Sequence, residues 1–246
     1  MPTDNSGLIP PPAGRVGQNG SGKATAEHQS ETRGHPVPPA RPSRRALFRR
    51  SLKLGYVRLA VFTGPMKSGK SAALISRLAQ YQHAGLEMRV FSPAADSRCA
   101  PGEIASRLGI SAPSHSITLP AEILALTPPT GDVVAIDEAQ LIADPRGLVD
   151  VIRILMARGV LVLVAGLDLD FAERPFQAVA ELCALADHVE KLTAICAHCG
   201  SAFATRTQRL VNGRPATLES PAVLVEGADE SVSYEARCAF CYRPPA

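Results

Sequence analysis

Gly64-Pro65-Met66-Lys67-Ser68-Gly69-Lys70-Ser71 fits the pattern G-x-x-x-x-G-K-[ST], a loop built to cradle phosphate. Its flanks fit the same purpose. Before it, Arg58-Leu59-Ala60-Val61-Phe62-Thr63 is apolar and β-branched enough for a buried strand. After it, Ala72 to His83 reads as a helix, with Leu74, Ile75, Leu78 and Tyr81 near one face. Glycines let backbone N–H groups close around phosphate oxygens, and a helix N-terminus adds partial positive charge. All eight residues are therefore candidate phosphate ligands. Lys70 is placed to reach the outer phosphates, and the Ser71 hydroxyl to ligate Mg²⁺. The alternative is a glycine-rich β–α turn that binds nothing.

Outward from this loop the chain alternates strand and helix. Glu87 to Ser92 reads as a second strand, and residues 93–118 as loop. A short helix follows Pro120. Asp132 to Asp137 is a compact apolar strand, Pro145 to Arg158 a helix stopped by Gly159, and Val160 to Ala165 a central strand. Continuous apolar strands separated by helices predict an α/β fold, a mostly parallel sheet with helices on both faces. Ligands of such sheets sit at the carboxyl ends of the strands. The glycine loop, Asp137 and Gly166 all fall there.

Asp137-Glu138-Ala139-Gln140 can complete a phosphate site. A carboxylate at the tip of an apolar strand suits Mg²⁺, held directly or through water, which assigns Asp137 to the metal. Glu138 is then free to take a proton from an acceptor hydroxyl. A solvated acidic turn is the plain alternative.

Six cysteines are present. Cys196-x-x-Cys199 and Cys238-x-x-Cys241, 38 residues apart, describe a tetrahedral Cys₄ zinc ribbon. Four thiolates leave no open coordination position, so Zn²⁺ there is structural. A disulfide or redox pair is the alternative. Cys99 and Cys183 are read as ordinary thiols.

The charge is uneven. Residues 1–58 hold ten Lys and Arg against three Asp and Glu, and residues 59–246 hold sixteen against twenty. Residues 1–55, rich in Pro, Gly and Arg, lack the apolar surface to offset ordering entropy and read as a disordered tail. Nucleic acid is not expected as a partner of the body and could be met only through this tail, whose plain reading is a solvated leader or an over-extended start. No long apolar run indicates a membrane span. With no secretory signal pattern at the start, a cytoplasmic protein is expected.

With these pieces in order, the chain resembles the type II thymidine kinases from about residue 57 to 242. The resemblance rests on Gly64-Pro65-Met66-x-Ser68-Gly69-Lys70-Ser71, Asp96-Ser97-Arg98, Ser106-Arg107-x-Gly109 and Ile136-Asp137-Glu138-Ala139-Gln140. It continues through Gly166-Leu167-Asp168-x-Asp170-Phe171, Pro175-Phe176, Lys191-Leu192-Thr193-Ala194, Thr207-Gln208-Arg209 and Tyr234 before the last cysteine pair. It implies a P-loop NTPase-like domain over 56–192 and a zinc-ribbon domain with a lasso loop over 193–246. It also implies ATP:thymidine 5′-phosphotransfer with Mg²⁺ in a homotetramer. Glu138 would be the general base, Arg98 would stabilise the transferring phosphoryl group, and Asp96 would stand nearby. Met66, Gln140, Leu167, Phe171 and Phe176 would line the thymine site. Thr207, the backbone around Val225 and Gly227, and Tyr234 would contact it from the lasso side.

Some positions depart from the family pattern: Lys67, Ala72-Ala73, Leu141, Gln177, Glu226 and Ala239. None removes a catalytic group. They leave open a P-loop kinase for another nucleoside, and a non-catalytic paralogue or zinc-ribbon nucleic-acid-binding module.

Overall fold

The structure is a computed structural model, and it describes residues 43, 45–48, 57–98, 100, 102–224 and 231–245. Val225, Gly227, Glu226 and Cys99, and most of the 1–55 tail, lie outside the described residues.

The strands are β1 (Leu59–Thr63), β2 (Met88–Pro93), β3 (Glu103–Ala105), β4 (Ser111–Pro113), β5 (His115–Ile117), β6 (Val133–Ile136), β7 (Leu161–Gly166) and β8 (His188–Lys191), followed by β9 (Arg206–Val211), β10 (Arg214–Pro215) and β11 (Val232–Arg237). The helices are α1 (Lys70–His83), α2 (Ala121–Leu126), α3 (Pro145–Ala157) and α4 (Gln177–Leu185). Six strands form one sheet in the order β5-β2-β6-β7-β1-β8, with every pairing parallel.

Period-two alternation within the apolar strands gives the sheet two buried faces. Leu59 and Val61 of β1, with Val162 and Val164 of β7, join Ile152, Leu155, Val179 and Leu182 of α3 and α4 in one core. Ala60, Phe62, Leu161, Leu163 and Ala165 face the other way, onto Leu74, Ile75 and Leu78 of α1. The expected apolar face of α1 is therefore the buried one, and Val160 to Ala165 is the central strand. Helix α3 begins at Pro145, with the Asp144 carboxylate accepting from the Gly147 amide at 3.0 Å.

Residues 93–118 correct the reading of that stretch as loop. They contain the β3–β4 hairpin and the edge strand β5. Each is three residues long and too mixed in polarity to show a period. Pairing to β2 makes β5 a strand, and the buried Ile104 seats the hairpin on the second core. Helix α1 also starts at Lys70, two residues before the expected Ala72.

A three-stranded sheet, β10-β9-β11, follows in the chain. β9 and β11 pair antiparallel from Arg206↔Arg237 to Val211↔Val232. Ahead of β1, residues 45–48 form a helical turn. Arg45 of this turn pairs with buried Asp132 at 2.6 Å and with Glu87 at 3.1 Å.

Candidate active site

The sheet register brings the predicted loops to one edge. Thr63 pairs with Gly166, and Ile136 with Val164, so β7 ends between the glycine loop and Asp137. The Thr63 hydroxyl donates to the Gly166 carbonyl at 2.9 Å and ties β1 to β7 at that edge. Gly64 starts the loop at φ 136°, where a Cβ would stand 2.3 Å from the Leu192 carbonyl oxygen. No side chain fits there.

Within the loop, Lys70 is buried and its ammonium donates to the Pro65 carbonyl at 2.8 Å. Burial pushes its pKa below the ordinary lysine value, against the pull of Glu138 and Asp137. Lys67 sits in the left-handed region at φ 64°.

Asp137 is 4% exposed. Burial, reinforced by the Glu138 charge, pushes its pKa up to about 7, although the Ser71 hydroxyl and the Glu138 amide donate to it. A hydroxyl and a buried carboxylate side by side are hard oxygen donors of the kind that suits Mg²⁺.

Glu138 has φ 47°, a left-handed conformation that turns its carboxylate back toward the cavity at the sheet edge. One oxygen accepts from Arg98 at 2.7 Å and the other from the Gln140 amide nitrogen. The Gln140 oxygen accepts from the Leu167 amide at 2.9 Å, which leaves its nitrogen for Glu138. Gly166 permits this reach, since a Cβ there would meet the Gln140 oxygen at 3.1 Å and a Val179 methyl at 2.9 Å. Asp96 holds Arg98 with two 2.8 Å hydrogen bonds. Burial opposes ionisation of Asp96, but these bonds outweigh it and hold the carboxyl below its usual range.

A cavity of about 470 Å³ opens over this edge. The loop residues Met66 to Ser71, Arg98, Glu138 and Gln140 line one side. Leu167, Phe171, Phe176, Thr207 and Tyr234 line the other. Gly64, Pro65, Asp96 and Asp137 are not among the residues that line it. Of the departures from the family pattern, Lys67 and Leu141 reach the cavity.

Arg209 belongs to the Thr207-Gln208-Arg209 stretch, and the sequence alone predicts no task for it. It is 2% exposed and donates to the Tyr234 hydroxyl at 2.8 Å, to the Ala222 carbonyl at 2.8 Å and to the Pro221 carbonyl. Its guanidinium lies 4.0 Å over the Phe171 ring. Tyr234 in turn donates to the Leu224 carbonyl at 2.7 Å. A charge inside the strand Arg206–Val211 was the available signal, since arginine is rarely buried without partners. Arg107 and Leu108 line the cavity too and were likewise not assigned.

The four cysteines of the two C-x-x-C pairs converge. Their sulfurs all lie within 4.8 Å of one another, with Cys199 and Cys238 at 3.7 Å. Each pair closes a backbone knuckle, Gly200 N–H to the Cys196 carbonyl and Cys241 N–H to the Cys238 carbonyl. The spacing and the all-sulfur donor set fit a tetrahedral zinc site. The Cys196 thiol is drawn down to about 6: burial opposes this, but backbone amides of Cys238, Cys199 and His198 donate to its sulfur. Cys241 is pushed up to about 12 by its hydrogen bond with Cys238 and by burial.

The family model described as thymidine kinase matches residues 57–242. The chain belongs to the thymidine kinase family. A thymidine kinase of Chloroflexus aurantiacus (strain J-10-fl) is 44% identical over 188 residues, 76% of this chain and 95% of that protein. One of Mesoplasma florum is 42% identical over 196 residues, covering 78% and 93%. As a member of this family the chain is an enzyme, and the matched span contains the glycine loop, the cavity and all four clustered cysteines. Among the described residues, no helix is long and apolar enough to cross a membrane.

Proposed function

We propose that the chain transfers the γ-phosphoryl group of ATP to the 5′-hydroxyl of thymidine. The observation that carries this reading is the Arg98–Glu138 pair in a cavity that the glycine loop and Phe171, Phe176 and Tyr234 also line. Phosphoryl transfer asks a protein mainly for positioning and electrostatic stabilisation. The loop amides and Lys70 hold the triphosphate. Ser71 and Asp137 would hold Mg²⁺, which would supply charge neutralisation at the phosphate oxygens. Thymine lies between Met66, Leu167, Phe171 and Phe176, with Thr207 and Tyr234 at its edge. Gln140 and Arg98 orient the Glu138 carboxylate, which accepts the proton of the 5′-hydroxyl as its oxygen attacks phosphorus. Arg98 faces the transferring group and offsets its charge.

In the same reading, Cys196, Cys199, Cys238 and Cys241 would hold zinc, which would fasten the base of a lasso between the two cysteine pairs. Residues 56–192 carry the phosphates and 193–246 cover the acceptor, in a cytoplasmic homotetramer. The curated relatives named thymidine kinase support the substrate.

The test is ATP consumption with Mg²⁺ across thymidine, deoxyuridine, deoxycytidine and purine deoxynucleosides. Turnover confined to thymidine and deoxyuridine is expected. Turnover with another acceptor alone would keep the phosphate site and overturn the base pocket.

A further inference from the structure

Two neighbouring residues of the phosphate loop are tied to the β9–β11 sheet. The Met66 amide donates to the Thr207 hydroxyl of β9 at 3.1 Å. The Lys67 ammonium donates to the Tyr234 carbonyl of β11 at 2.7 Å. Tyr234 has a second attachment at its other end, where its hydroxyl donates to the Leu224 carbonyl and accepts from Arg209. Arg209 also holds the carbonyls of Pro221 and Ala222. One residue thus joins the tip of the phosphate loop to the segment 220–224, and Lys67 and Leu224 both line the cavity.

We propose that Lys67 is a positioning residue that couples phosphate occupancy of the loop to closure of the segment 220–224 over the acceptor. This rests on the reading of the two ligands as Mg-ATP and thymidine. The backbone of a phosphate loop takes its shape from the oxygens its amides surround. Lys67 holds a left-handed conformation that a lysine rarely adopts alone. A phosphate on the amides steadies that conformation, and with it the point from which the Lys67 side chain leaves the loop. The ammonium then favours the arrangement in which the Tyr234 carbonyl meets it. The Tyr234 side chain carries that placement to Leu224. A charged donor is well suited to the task, since its hydrogen bond to a carbonyl is stronger than a neutral one. Coupling of this kind is reciprocal: thymidine under the segment must favour the phosphate-bound loop by the same factor.

The experiment measures thymidine affinity of the full chain by calorimetry, with and without a non-hydrolysable Mg-ATP analogue, and then analogue affinity with and without thymidine. The wild type is expected to show the same rise in both directions, on the order of fivefold or more. Adenosine in place of the analogue is expected to give no rise, because the relay starts at the phosphates. In Lys67→Met the ratio falls to about one, and in Lys67→Arg, which can still reach the carbonyl, part of it returns. Each ratio is read within one protein, so a change in binary affinity does not enter it. Wild-type coupling retained in Lys67→Met, or an equal rise with adenosine, overturns the proposal while the thymidine reading stands. A wild type that binds the analogue but no thymidine overturns that reading, and the coupling with it.

Discussion

Arg98 donates to one Glu138 oxygen at 2.7 Å while Asp96 grips the same guanidinium with two 2.8 Å hydrogen bonds. Burial works against this cation, yet the hydrogen bonds of Asp96 and the charge of Glu138 hold it protonated. The proposed base is thus paired with the cation proposed to face the transferring group. Glu138→Gln is expected to lower kcat by about 10²–10⁴-fold while ATP binding survives. Arg98→Lys loses the forked geometry and should lower kcat as well. Because the two side chains touch, the double variant should fall short of the product of the single effects. Steady-state kinetics on the three variants checks this, and near-normal turnover in Glu138→Gln would remove Glu138 from the base role.

Asp137 gives a pH dependence with a defined sign. Its folded-state pKa of about 7 lies above the unfolded value near 3.8. The folded chain therefore binds more protons than the unfolded one between about pH 4 and 7, and stability from this group falls as pH rises through that window. Thermal unfolding of the Mg-free wild type should show this loss, and Asp137→Asn should flatten it. Proton and metal compete for the same oxygens, so the Mg²⁺ concentration for half-maximal activity should rise by up to about tenfold per pH unit below 7. A wild type and Asp137→Asn with the same Mg-free pH–stability slope would contradict the assignment.

Arg209 is a buried cation whose described hydrogen bonds go to two carbonyls, of Pro221 and Ala222, and two hydroxyls, of Tyr234 and Ser220, rather than to a carboxylate. Arg209→Met leaves those acceptors without a donor, at roughly 1–3 kcal/mol each for any that stay buried. Arg209→Lys retains the charge but not the fork that serves several acceptors at once. Both are expected to raise the thymidine KM well beyond the ATP KM, with Lys the milder. Equal changes in both constants would point to general loss of folded protein.

Zinc content gives an independent check. One Zn²⁺ per chain is expected after dialysis, and less in Cys238→Ser. The knuckles stand where β9 and β11 pair through Arg206↔Arg237, so loosening them should weaken thymidine binding before ATP binding. Substoichiometric zinc with oxidised thiols in the wild type would replace the metal site with disulfides.

The order of pieces along the chain, and most of the side chains gathered at the sheet edge, could be read without coordinates. β1, β6 and β7 are buried on both faces, so their apolar runs are continuous and visible. The loop glycines, the acids after β6 and the paired cysteines are short-range patterns, and short-range patterns survive in a sequence. What needed the tertiary structure was set by contacts distant in the chain. His115-Ser116-Ile117 carries no strand signal of its own and becomes one by pairing with Phe91-Ser92-Pro93. Gln140 looks like any polar residue after an acidic pair until β7 brings the Leu167 amide to its oxygen. Arg209 and Lys67 gained their tasks in the same way, because their acceptors lie at least eleven residues away along the chain, in segments no local pattern connects. Local propensity and spacing determined which groups this protein has, and the parallel register and the β9–β11 pairing decided which of them meet.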